Sequence, residues 1–394
     1  MKILAVDIGT GTQDIYLFDS RLDPENGLKL VLPSPTMMVH RRIRAATQAE
    51  NAIVLTGQQM GGGPSAWAAE AHARRGLATY ATPDAALTLD DDLDKVAAAG
   101  VQIVSEEEAR ALKPDVMRIE LRDFDFEAIA RTFATYGVDL TTLDAAAVAV
   151  FDHGAAPRGV SDRQFRFDYL DRRIRAKGTL SAFAYVAADV PEIMSRLRTV
   201  ARTAAALDCP LVLMDTAPAA VLGTTYDPMV AQRADRLIVN IGNFHTLAFR
   251  LQGSTVNGVF EHHTGEIDRA KLESLLWRLA NGTLKHEDVF NDMGHGALVY
   301  DRAAMDWGKG DYDVVVTGPR RSMLLPDEGG DATNPLPGSP RPRPYFAVPF
   351  GDMMLAGCFG LIAAAADVLP DLREEIETSL EGRSARGTAP WDAL

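Results

Sequence analysis

Short apolar runs alternate with amphipathic stretches along most of the chain, and the order of these runs repeats. KILAVDI (residues 2–8) and DIYLFDS (residues 14–20) predict two strands around a turn of glycine and threonine. LKLVLPS (28–34) predicts a third strand, and an arginine-rich helix follows over residues 36–49. NAIVLTG (51–57) has the unbroken apolar character of a buried strand, and it leads through QQMGGGP into a helix starting near residue 65. Residues 77–122 break into shorter elements, read as a small α/β insertion, and helix resumes over 123–136. AAAVAVFDHG (145–154) is again a buried strand running into a loop. Helices over 162–176 and 192–207, the strand LVLMD (211–215) and the small-residue helix TAPAAVLG (216–223) close the first half.

The second half starts the same way. RLIVNIG (236–242) and TLAFRLQG (246–253) predict a hairpin, and VNGVFEHH (256–263) a third strand. Leu272, Leu275, Leu276 and Leu279 form one stripe of a helix over 266–280. The strand DVVVTG (313–318), a Pro/Gly-rich loop over 326–344, the strand YFAVPFG (345–351) and a long apolar helix over 352–369 complete the pattern, with a polar tail beyond residue 380. A Rossmann sheet needs a crossover helix directly after its glycine turn; here a strand follows each turn, which excludes that fold.

Composition narrows the class. The chain has 394 residues, 47% hydrophobic and 24% charged, as in globular proteins with full cores. A formal net charge of −14 argues against nonspecific nucleic-acid binding. The two cysteines, Cys209 and Cys358, lie far apart and imply cytoplasmic usage without a disulfide framework. Neither a signal peptide nor a bilayer span is expected, since Asp7 interrupts the first apolar run and the charge-free stretch 353–366 is too short.

Two halves, each opened by a Gly/Thr hairpin, resemble the superfamily of actin, the heat-shock chaperones and the sugar kinases. Asp7-Ile8-Gly9-Thr10-Gly11-Thr12 is similar to its first phosphate loop, and Asn240-Ile241-Gly242-Asn243-Phe244-His245-Thr246 stands at the second. Asp215 with the Thr/Ala-rich turn after it resembles the first connecting helix, and residues 351–360 the second. Thr317-Gly318-Pro319 falls where an adenosine loop lies, and TGQQMGG (56–62) resembles a strand-end motif of FGGY-type sugar kinases. The resemblance implies an α/β fold of two duplicated ribonuclease H-like (actin-like ATPase) domains with a cleft between them. Residues 1–223 and 224–380 would be the halves, and 381–394 a flexible tail.

It also implies ATP and Mg²⁺ as cofactors. Gly9, Thr10, Gly11 and Thr12 would face one side of the phosphates, with Asp7 holding Mg²⁺ through water. Asn240, Gly242, Asn243, His245 and Thr246 would form the opposing clamp, with Asp215 and Gly318 nearby. Asn240 departs from the aspartate usual at its position. Gln58, Gln59, Gly61 and Gly62 would lie near an acceptor substrate. The implied activity is an Mg-ATP-dependent phosphotransferase on a small molecule. The alternatives are an ATPase acting on a protein partner and a ligand-binding member without turnover.

At finer grain, VDIGTGTQDI, MGGGP, FDHG, NIGNFHT, EHHTG, GHG and FGDMMLAGCFG resemble a prokaryotic family often labelled pyruvate formate-lyase activating enzyme. A radical-SAM activase holds an iron–sulfur cluster by three cysteines in one short run, which two distant cysteines do not supply.

The remaining polar residues admit two readings each. Asp152, ending a buried strand, could be a general base for an acceptor hydroxyl or attacking water, with His153 tuning or replacing it, or a turn carboxylate bonded to backbone. Glu261, His262 and His263, with Gly294-His295-Gly296, could bind substrate, or could be satisfied structural groups. A composite metal site of His153, His245 and His295 with these residues is a third reading, without any HxH or HExxH spacing. Adjacent residues of a strand face opposite ways, so only one of His262 and His263 can share a face with Glu261. Arg158, Arg163, Arg166, Arg172, Arg173, Arg175 and Lys177 form a basic island, facing either an anionic substrate or solvent with salt bridges.

Overall fold

The structure is a computed structural model that describes residues 1–157, 159–325, 341–382 and 389–392. Most of the expected Pro/Gly-rich loop, the tail over 383–388 and Arg158 lie outside the described residues. Three sheets organise the described residues. In the first, Lys2–Ile8 pairs antiparallel with Thr12–Asp19 on one side and parallel with Ala145–Val150 on the other. Leu28–Pro33 extends the antiparallel side; Leu211–Asp215 adds in parallel, and Ala184–Val186 closes that edge antiparallel. The second sheet has the same centre: Asp235–Ile241 pairs antiparallel with His245–Gln252 and parallel with Val314–Thr317. Thr255–His263 and Pro344–Phe346 extend it, and Gly296–Val299 forms its far antiparallel edge.

The third sheet differs from expectation. Ile53–Gly57 pairs with Thr79–Ala81 and Met117–Leu121, so the separate α/β segment takes in a strand well ahead of residue 77. Its own apolar cluster, built around Ile43, Ile53, Leu55 and Ile119, explains why NAIVLTG has a buried-strand sequence without joining the first sheet. The edge strands Ala184–Val186 and Gly296–Val299 have no expected counterpart, being too short for period-two alternation to show.

Two helices join the large sheets to each other. Thr216–Thr224 follows Asp215 directly, and Ala356–Val368 packs across it with nearly all its residues buried. Where they cross, Gly223 and Gly360 bring backbone against backbone. None of the helices among the described residues is long and apolar enough to cross a membrane.

Candidate functional site

The two glycine turns close by the same bond. Gly9 N–H donates to Thr12 O and Gly242 N–H donates to His245 O, each at 2.9 Å. Both turns line one cavity of about 230 Å³, together with Thr317, Gly318 and Pro319. Their tips nearly touch: a Cβ on Gly11 would lie 2.7 Å from Asn243 Nδ2. Gly318, at φ +96°, passes so close to Asn240 and Ile241 O that a side chain there would displace the strand end.

Strand pairing decides which neighbours reach the cavity. Asp7 lies opposite Asp14 in the antiparallel register, so both carboxylates emerge on one face, and both line the cavity. Asn240 and Leu247 are the equivalent pair in the second sheet. Thr246, one residue off that pair, points the other way, is fully buried and bonds Thr264 Oγ1 at 2.9 Å. Asp215 is likewise one register step beyond the Asp7 level, does not line the cavity, and caps the helix start by accepting from Ala217 N–H at 3.2 Å. The next residue reaches in instead: Thr216 donates to Asp7 Oδ1 at 2.5 Å.

Burial pushes the Asp7 carboxyl up to about 7, with Asp215 adding to the rise and the Thr216 hydroxyl opposing it. Burial, reinforced by Asp7, pushes Asp14 up to about 8. Asp14 Oδ1 is buried and has no hydrogen-bond partner among the described residues. Two facing carboxylates, one with an orphaned oxygen and both short of positive charge, have the donor chemistry that suits a hard divalent cation.

This pair has a consequence for stability. Between pH 4 and 8 the native state binds protons at Asp7 and Asp14 that the unfolded chain, with carboxyls near 3.8, has released. Their contribution to stability therefore falls as pH rises through that window, by at least roughly a few kcal/mol in all. Buried histidines held below 6.5 act in the opposite sense up to that pH, so thermal melts are expected to drop from pH 6.5 to pH 8 without divalent cations, and Asp14→Asn is expected to flatten the slope. A melting profile that stays flat or rises over this range contradicts the assignment.

Asp152 has spent its carboxylate. Oδ1 accepts from Gly154 N–H and Oδ2 from Leu197 N–H, both at 2.9 Å, and the residue is 3% exposed. The turn-carboxylate reading is thus the one its bonds describe. His153 lies beside it and lines both the first cavity and a second of about 920 Å³. Gly61, Gly62 and Arg196 are common to the two cavities. Arg196 is held by Asp123 at 2.7 and 2.8 Å and by Phe151 O at 2.7 Å. Gln59 reaches the second cavity, whereas Gln58 lines neither and accepts from Arg202 at the surface.

Behind His153 lies a buried polar network that the sequence only half disclosed. Arg166 is fully buried and donates to Asp215, to Glu261 Oε2 at 3.2 Å and to Asp152 O at 2.9 Å. It thereby ties the first sheet to the second. Three others of the basic island make structural bonds: Arg163 donates to Phe290 O and Gly294 O, Arg173 to Ala182 O, and Arg175 pairs with Asp171. Glu261 Oε1 lies 3.0 Å from His245 Nδ1 and 3.7 Å from His295 Nδ1. Burial alone would raise the Glu261 carboxyl, but Arg166 and the facing histidines outweigh it and hold it well below the ordinary carboxylate range. His263 shares the Glu261 face, its ring 4.6 Å from that of His295, while His262 points away toward Asp292.

Sequence reasoning missed Asp14, Thr216, Arg196 and the burial of Arg166. Asp14 stood in the quoted motif, and counting the hairpin register back from the turn would have found it opposite Asp7. Arg166 falls in step with Phe167, Leu170 and Ile174 on the apolar side of its helix. Arg196 carried no local signal, since its partner Asp123 comes from a distant segment.

Comparison of the sequence with curated proteins finds no match. Among solved structures, similar chains include an ROK hexokinase from Thermus thermophilus, at 14% identity and a TM-score of 0.23, with 65% of this chain and 48% of the hexokinase covered. An ROK family transcriptional regulator, a homologue of the E. coli MLC protein, follows at 10% identity and 0.26, covering 65% and 37%. An exopolyphosphatase-like protein follows at 10% and 0.25, covering 81% and 66%. The chain thus spans about half the length of the hexokinase and less of the regulator. These likenesses are too weak to bear on function. Residues 60–323, about two thirds of the chain, match a family described as "Putative pyruvate format-lyase activating enzyme (DUF1786)", and the chain belongs to that family.

Proposed function

We propose that the cavity between the two hairpins binds the phosphate chain of ATP with Mg²⁺, and that the protein is an Mg-ATP-dependent phosphotransferase acting on a small molecule. On this reading the two large sheets are duplicated actin-like ATPase halves, over residues 1–223 and 224–380, closing on a cleft. One observation carries it: two turns of identical closure, from equivalent strands of two sheets with the same central order, face a single cavity with Asp7 at its wall. Amides at a glycine turn offer the concave donor set that anions take. Asp7 and Asp14 would hold Mg²⁺ through water, and the bound metal would neutralise charge on the transferring group. Arg196 adds a cation at the junction with the second cavity, where an acceptor substrate would enter beside Gly61, Gly62 and His153. At about 230 Å³ the first cavity is smaller than pockets of roughly 300–1,000 Å³ that enclose whole ligands, so a complete nucleotide requires the hairpin tips to part.

The family description implies a cluster-bearing activase, and the residues do not fit one. The chain has two cysteines; Cys358 is buried with its thiol turned to Asp14 O at 3.1 Å, and Cys209 lies in another segment. No step is assigned to such a cluster.

Ligand binding without turnover is the second reading, favoured by Asn240 in place of an acid and by the saturated carboxylate of Asp152. Calorimetric titration with Mg-ATP, repeated without Mg²⁺ and on Asp7→Asn, tests the site. Binding in the micromolar range that weakens at least about tenfold in either control is expected, since one order of magnitude is ~1.4 kcal/mol. No heat up to millimolar nucleotide defeats the phosphotransferase reading and favours a ligand other than a nucleotide. Phosphate release that rises with added acceptor then separates transfer from binding alone.

A further inference from the structure

We infer that His153, His245 and His295 bind a divalent first-row transition-metal ion, distinct from the Mg²⁺ expected at Asp7. One ring nitrogen from each of the three lies within 4.8 Å of the other two. Tetrahedral zinc holds its nitrogens about 3.4 Å apart, so rotamer shifts of under about 1 Å per ring would complete the set. The three histidines come from separate places: the loop after Ala145–Val150, the second hairpin, and the loop before Gly296–Val299. Convergence from three segments is what a site needs and what sequence spacing cannot show.

The surroundings are those of ligands rather than of satisfied core histidines. Glu261 Oε1 is buried beside the cluster and faces Nδ1 of both His245 and His295. At 3.0 Å, Glu261 is placed to fix the hydrogen on Nδ1 of His245 and leave its Nε2 as the donor lone pair, the arrangement by which a carboxylate orients metal-bound imidazoles. His295 Nδ1, at 3.7 Å, lies a small shift from the same contact. Arg166 anchors Glu261 from behind, and Phe151 stacks on His245 at 4.1 Å, so the rings are held before any ion arrives. Imidazole donors select zinc, iron, nickel or copper over magnesium. His153 and His245 also line the first cavity, so an ion with three protein ligands would present its open position there, as catalytic rather than structural sites do.

The test uses full-length protein purified without chelator and without metal-affinity chromatography. Elemental analysis is expected to find near-stoichiometric transition metal. Metal-stripped protein is expected to bind one Zn²⁺ with submicromolar Kd in the presence of excess Mg²⁺. His153→Ala and His295→Ala are expected to weaken this by at least about 100-fold, and Glu261→Gln by about 10–100-fold. His40→Ala, on the helix Pro35–Gln48 where its ring bonds Pro64 O, is expected to leave it within about threefold. Because the alanine variants could fail to fold, the unaltered protein is also loaded with Co²⁺, whose visible absorption reports nitrogen coordination of low symmetry. Zinc affinity weaker than about 10 μM, folded variants that bind like the parent, or a Co²⁺ spectrum of the octahedral aquo type would each overturn the assignment.

Discussion

Replacing Arg166 with methionine is expected to cost the fold roughly 3–5 kcal/mol, the range for removing one partner of a buried ion pair. The guanidinium is fully buried, and its two carboxylate partners, Asp215 and Glu261, are nearly so. Without it, both carboxylates stay in a place that burial makes hostile to charge, and Asp152 O loses its donor. A fifth of such a cost follows from one lost hydrogen bond; the remainder is the unpaired charge itself. Arg166→Lys is expected to recover little, because one ammonium cannot reach Asp215, Glu261 and Asp152 O as a planar fork does. Removing all three charges together, as Arg166→Met with Asp215→Asn and Glu261→Gln, is expected to regain more than half of the loss. Urea unfolding of the four proteins measures this. A single variant within 1 kcal/mol of the parent would show that the triad is not what holds the two sheets in register.

Much of the architecture was legible because its signals are local. Glycine turns between apolar runs marked both hairpins, and the Leu272–Leu279 stripe marked a helix that the structure places at Arg269–Ala280. Both turns line one cavity, as their matching place after a first strand suggested. What was illegible depends on register and on distant partners. NAIVLTG has the composition of a central strand, yet its partners are Thr79–Ala81 and Met117–Leu121, and nothing in its own residues says so. Thr246 and Asp215 sat in the right motifs on the wrong face, a one-residue matter that strand alternation settles and motif matching does not. Glu261 and Arg166, 95 residues apart, meet only because the helix Asp162–Lys177 lies against the second sheet.

The second large effect concerns the helix crossing that seats Asp7. Gly360→Ala is expected to abolish stable folding or cost more than about 3 kcal/mol, beyond the usual 1–3 kcal/mol of overpacking. A Cβ at Gly360 would lie 2.8 Å from Gly223 N and 2.7 Å from Ala219 C, with Ala219 O nearer still. These are backbone atoms of a helix, so no rotamer relieves the clash and the helices must separate. The reciprocal change, Gly223→Ala, meets Gly360 N at 2.7 Å and is expected to do the same. Separation carries further than stability. Gly357, one turn earlier on the same helix, lies against Asp7 so closely that its Cβ would fall 3.0 Å from the Asp7 Cβ, with the carboxylate nearer. Moving Ala356–Val368 outward therefore loosens the wall against which Asp7 is fixed, so a folded Gly360→Ala protein should melt lower and, if Asp7 holds Mg²⁺ as proposed, gain less stability from added Mg²⁺ than the parent. A control at the surface of the same helix end, Asp367→Ala, should change neither by more than about 0.5 kcal/mol. Should Gly360→Ala melt within a few degrees of the parent, the close crossing would not be the constraint that these distances describe.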